Sequence, residues 1–199
     1  MRRHDPRPWL GLVLIGSAVG CAPDLREDYP FDGQTSAGPL VEVTPRPEGG
    51  ADVIVDATSK TGTVYVDLDE GREMKTDEAL DTNGWDLAFQ RFTITTNGGG
   101  GNPTGEVHVA VLTSGDWDGL TTAPASGYQQ DASETVFNGV QGGWYNYDLV
   151  KHQLQPRESL LYVVRSSQGR YFKLKMRSYY DSAGTPARLS FQYQAVAAP

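Results

Sequence analysis

The residue types in this chain offer three kinds of chemistry: cation binding by oxygen ligands, iron ligation, and catalysis. Asp67-Leu68-Asp69-Glu70-Gly71 and Asp116-Trp117-Asp118-Gly119 place carboxylates at alternate positions, as the opening of a calcium loop does. Calcium takes roughly six to eight oxygens, and neither run supplies a later bidentate glutamate, so both are expected to be solvated turns. Zinc needs clustered Cys, His or carboxylate ligands, and His108 and His152 are well separated, so no metal site is expected. Iron accepts His, Met or Tyr. His108 alternates with a valine face and reads as a surface residue. Met176 shares an apolar face with Phe172 and Leu174 and reads as packing, and Met74 sits beside a short helical segment. His152 lies in the polar stretch Asp148 to Gln153, where a hydrogen-bonded turn histidine and a free ligand both fit.

Catalytic patterns are missing. The sequence has no Gly-x-Ser-x-Gly elbow and no His-Glu-x-x-His helix. The run Asn97-Gly98-Gly99-Gly100-Gly101 lacks the lysine of a phosphate loop and opens no helix, so it reads as a flexible hairpin loop. No catalytic residue is assigned, and the chain is read as a non-enzyme. The formal net charge is −8, and Arg2, Arg3 and Arg7 fall in the first twenty residues, leaving the remainder more acidic still. That balance argues against nucleic acid as a partner, because duplex binding needs a basic footprint. Lys173, Lys175 and Arg177 share one strand face, with Arg165 and Arg170 nearby. The stripe fits either an acidic group or an exposed strand face whose charges discourage edge pairing.

These residues must be positioned by strands. Val64, Val66 and Leu68 alternate with polar neighbours, as do Phe92 and Ile94, Val107 to Val111, Phe172 to Met176, and Leu189 to Tyr193. A period of two puts one set on a core face and the other toward water. Turn clusters separate the runs: Asn83-Gly84, Asn97 to Gly105, Ser114 to Gly119, Gly142-Gly143, Gln168-Gly169 and Asp181 to Pro186. Glu73 to Leu80 is the best helical segment and is short. The reading is all-β: one domain of many short antiparallel strands, sandwich- or barrel-like.

The N-terminus reads as an export signal. A basic start precedes the short apolar run Trp9 to Val19, which ends in Ala18-Val19-Gly20-Cys21. Small residues before a cysteine resemble the bacterial lipobox, although Ala18 stands where leucine is usual. The expected organisation is a lipoprotein signal peptide over 1–20, a lipidated Cys21 with a flexible tether over 21–50, and the β domain over 51–199. An ordered arm near Leu40 to Val43 is the alternative for the end of the tether. Cys21 is the sole cysteine, so the core must hold without a disulfide. Acyl chains on it would keep the domain at a membrane surface, on the periplasmic or outer face of the cell envelope.

Several blocks together resemble the HmuY-like family. Trp85-Asp86-Leu87-Ala88-Phe89-Gln90-Arg91-Phe92 followed by Thr96-Asn97-Gly98-Gly99 is similar to one block of that family, and Gly142-Gly143-Trp144-Tyr145-Asn146-Tyr147 to a second. Tyr162 to Arg165, Gln168 to Leu174, Tyr179-Tyr180 and Leu189 to Tyr193 resemble its C-terminal strands, so the likeness runs over roughly 53–194. The resemblance implies an all-β surface lipoprotein of the outer membrane that binds haem and passes it to an outer-membrane receptor. In the best-known members two histidines grip the iron. Here the matching position near Asp148-Leu149 is not histidine, and His152 lies three residues beyond Leu149. Between Thr113 and Gln141, Tyr128 is the one ligand type present. The resemblance therefore implies His152 with Tyr128, or one residue alone, as haem ligands. Trp117, Tyr128, Trp144, Tyr145 and Tyr147 are the candidate pocket walls, and the basic stripe could lie near the propionates. For Trp85 and Trp144 core packing competes with a pocket role. The alternative is a module of the same fold that recognises another envelope ligand or a protein partner without haem.

Overall fold

Alternating apolar residues need a second apolar surface to cover them, and the chain supplies two sheets for that purpose. The computed structural model describes residues 38–139 and 143–199, within a unit spanning 33–199. The expected signal peptide, Cys21 and the first part of the tether lie outside the described residues. Among the described residues, no helix is long and apolar enough to cross a membrane.

The strands in chain order are β1 (Val41–Pro45), β2 (Ala51–Asp56), β3 (Val64–Asp67), β4 (Arg72–Met74), β5 (Leu87–Gln90), β6 (Thr93–Thr96), β7 (His108–Leu112), β8 (Tyr128–Gln129), β9 (Tyr145–Asp148), β10 (Gln153–Pro156), β11 (Leu161–Arg165), β12 (Tyr171–Tyr180) and β13 (Pro186–Val196). Among the described residues one helix, α1 (Thr76–Thr82), lies between β4 and β5. The large sheet has seven strands in the order β1-β2-β13-β12-β11-β7-β8, and the smaller has four in the order β4-β3-β5-β6. Every pairing in both sheets is antiparallel. A separate antiparallel hairpin, β9-β10, packs beside them.

The main core lies between the two sheets. Val53, Val55, Val109, Val164, Leu174, Leu189 and Phe191 from the large sheet meet Val64, Val66, Leu87, Phe89 and Ile94 from the small one. Phe89 stacks on Phe191 across the gap, with centroids 5.7 Å apart. The alternation therefore did what it implied. The helix starts three residues later than the sequence suggests, at Thr76, because Glu73 and Met74 pair into β4 against Val66 and Tyr65.

Three expectations are corrected. Val41–Pro45, assigned to the tether, is instead β1, paired along its length with β2. Val41 is buried in the core, so the ordered arm was the right alternative and the domain begins before residue 51. The glycine run after Asn97 is not a free hairpin loop. Gly98 bridges to Glu106 and Gly99 to Asp131, and Asn97 is fully buried with its side-chain amide on the carbonyls of Asn83 and Trp85. A side chain on Gly98 would collide with the Val107 carbonyl, and Gly99 has φ +58°. Glycine is there for close backbone approach. Lys173, on the basic stripe, is 5 % exposed rather than solvated. The connection between β7 and β8 crosses the outer face of the large sheet and lays Trp117 over it, with the Lys173 ammonium 4.6 Å from the ring centroid. Lys173 Nζ also donates to the Trp117 carbonyl at 2.6 Å.

Candidate functional site

The sequence-derived site residues fall into two places. Trp117 and Tyr128 belong to the outer face of the large sheet. Tyr128 pairs with Ala110 on β7 and packs edge-on to Tyr171, in a small cluster with Ala123 and Val163. Its hydroxyl is buried without a hydrogen-bond partner, and burial pushes its pKa up to about 12. Trp144, Tyr145 and His152 belong to the β9-β10 hairpin and its approach. Trp144 is 1 % exposed, donates its indole N–H to the Phe92 carbonyl at 3.0 Å, and packs against Tyr145 and Tyr179. It supports the hairpin from the core, as the packing reading for it requires. Tyr145 is half-buried, edge-on to Phe92 and Trp144, and burial raises its pKa.

The two groups do not converge. Tyr128 stands opposite Ala110, which neighbours Val163 and then Lys173 on β12. The hairpin meets β12 at its far end, where Leu154 N–H donates to Tyr180 Oη at 3.1 Å. Seven residues of strand separate Lys173 from Tyr180, roughly 20 Å at the rise of an extended chain. His152 and Tyr128 therefore do not reach one iron together, and that pairing is corrected.

The hairpin itself is a built feature. Asp148 caps its turn, accepting N–H bonds from Val150 at 2.9 Å and Lys151 at 3.0 Å, and these bonds hold its carboxyl below the usual range. His152 closes the turn with φ +53°, in a region that non-glycine residues seldom occupy. Its Nδ1 lies 2.9 Å from Tyr147 Oη, and the residue is exposed. One ring nitrogen of an exposed imidazole is thus held, and holding one nitrogen is how proteins orient a metal-ligating histidine. Leu149 and Val150, beside it at the tip, are 77 % and 90 % exposed. A flat apolar ligand carrying a metal would meet an oriented imidazole and two uncovered aliphatic chains. His108 is held in the same way, its Nδ1 2.8 Å from the Glu106 carbonyl, but it lies on β7, next to β8, and away from the exposed aliphatic tip.

The sequence could not show that Tyr147 holds His152, because the contact depends on the four-residue turn that brings them face to face. The turn itself was legible, since Asp148 before an apolar pair is a turn-capping residue.

The fold is a two-sheet, antiparallel β domain with a separate aromatic hairpin beside the sheets. The chain belongs to the HmuY family: the family model for HmuY protein matches residues 59–193. Solved structures agree on the fold. An apo HmuY analog of Tannerella forsythia aligns with TM-score 0.57 and 18% identity, over 83% of this chain and 99% of the other. A candidate lipoprotein of Bacteroides fragilis gives 0.56 and 18%, over 81% and 97%. A Bacteroides vulgatus protein, described as a candidate HmuY-like heme-binding protein, gives 0.54 and 16%, over 79% and 97%. At these identities the likeness shows the fold. No curated protein matches the chain.

Proposed function

We propose that this protein is a lipid-anchored haem-binding protein of the bacterial cell envelope, held through Cys21 and bearing its haem at the β9-β10 hairpin. The observation that carries the reading is the tip of that hairpin: exposed His152, with Nδ1 held by Tyr147, beside exposed Leu149 and Val150. Haem is an apolar plate with a ligand-seeking iron, and these side chains match both needs. His152 would ligate the iron, and Leu149 and Val150 would pack against the porphyrin. Membership of the family and the naming of a Bacteroides vulgatus neighbour as heme-binding support the ligand class. The protein acts by binding and handing on its ligand, to an outer-membrane receptor, without catalysing a reaction.

Titrating the full chain with haem and recording the visible spectrum tests this. A saturating one-to-one change with a sharp Soret band, lost in His152→Ala, is the expected result. A spectrum matching that of haem with an unrelated acidic protein would remove haem from the reading and leave the fold serving another envelope ligand or protein partner.

A further inference from the structure

We propose that Asp67, Asp69 and Asp86 form a calcium site, separate from the hairpin. The sequence reading makes Asp67 to Gly71 a solvated turn, and the structure does otherwise. Asp67 is 3 % exposed and Asp86 fully buried. The Asp69 side chain is 1 % exposed, and both its carboxylate oxygens are buried without a hydrogen-bond partner. Buried polar atoms are rarely left unbonded, and a carboxylate least of all.

The three carboxylates are aimed at one another. One oxygen from each lies within 4.8 Å of the other two. That spread fits inside a calcium coordination sphere, whose ligands sit at about 2.3–2.6 Å from the ion and hence up to about 5 Å apart. The framework is fixed by the fold. Asp86 Oδ2 accepts Leu68 N–H and Oδ1 accepts Ser167 N–H, both at 2.7 Å, while Asp67 Oδ1 accepts Glu70 N–H at 3.0 Å. Each oxygen keeps a lone pair. Tyr193 adds a phenolic oxygen beside the same loop: a Cβ on Gly71 would lie 2.7 Å from it.

One cation faces the cluster, at ion-pair rather than hydrogen-bond distance. Arg170 Nη1 is 3.6 Å from Asp69 Oδ1, beyond hydrogen-bond reach, and donates instead to the Asp69 carbonyl at 3.2 Å. The Arg170 side chain is half exposed, with its guanidinium 5.2 Å from the Phe172 ring centroid. Arg72 is committed to Glu78 and Glu70. A cleft of about 460 Å³ bordered by Asp69, Glu70, Gly71, Arg170 and Tyr193 offers a path for an ion and its remaining waters.

The test is to strip the full chain with a chelator, then titrate calcium chloride by calorimetry and follow the melting temperature. One-to-one uptake is expected, with a rise of roughly 5–10 °C at a hundredfold excess over Kd. Asp69→Asn should lose at least tenfold in affinity while melting, metal-free, at or above the stripped wild type, since one like charge has gone. Should Asp69→Asn not fold, Asp67→Asn carries the same comparison. A wild-type melting temperature indifferent to calcium, or an undiminished response in the variant, overturns the site.

Discussion

Tyr147 Oη and His152 Nδ1 lie 2.9 Å apart across the turn of the β9-β10 hairpin, and this bond engages one of the two imidazole nitrogens. Removing the partner of a ligating histidine typically weakens metal affinity by about 10–100-fold. Tyr147→Phe keeps the ring and loses the bond. It is expected to weaken haem binding at least about tenfold in a titration, with the Soret band retained. An unchanged affinity would mean that the iron is held elsewhere.

Tyr128 has the opposite character. Its hydroxyl is buried and unbonded, so Tyr128→Phe removes a desolvated group and leaves the ring contact with Tyr171. Unfolding by denaturant should show stability unchanged or raised by about 1 kcal/mol. The haem spectrum should not move. A lost Soret band in this variant would restore Tyr128 as a ligand.

Asp131 ties the long connection after β8 to the small sheet. Its carboxylate accepts Thr96 N–H at 2.6 Å and Val136 N–H at 2.8 Å, both from buried surroundings. Asp131→Ala orphans two backbone donors and is expected to cost about 2–4 kcal/mol in chemical denaturation. A loss under about 0.5 kcal/mol would show that water replaces the carboxylate at little cost.

The hairpin turn should outlast acid to a defined point. Backbone bonds from Lys151 and Val150 hold the Asp148 carboxyl below its ordinary value of 3.8. A group whose folded pKa is lowered contributes in full above the unfolded value and loses that contribution as pH falls through the folded one. The turn is therefore expected to stay closed at pH 3.8 and to loosen only below it. Carboxyl carbon shifts followed by NMR against pH will report this, and a midpoint at or above 3.8 contradicts the capping role.

Period-two alternation determined the class of this fold from sequence alone. Val64 and Val66, Phe172 to Met176, and Leu189 to Tyr193 became core faces because each strand has one face to bury and hydrophobicity marks which. The block from Trp85 to Gly99 was legible for a related reason. Its residue types mark structural demands, a buried ring, a buried amide and close backbone approach, although the partners that meet them, such as Ser167 on Asp86, come from elsewhere in the chain. What the sequence could not decide is which distant residues share a place. His152 and Tyr128 were equal candidates in one dimension, and β12 keeps them apart. Lys173 looked solvated until the β7–β8 connection laid Trp117 over it. Asp67 and Asp69 read as an exposed turn until Asp86, reached through the pairing of β3 with β5, closed over them. Local pattern sets which face of a strand is buried, because that depends on the chain's own period. Burial of a charge, or its meeting with another, depends on what crosses from elsewhere, and only the tertiary structure decides that.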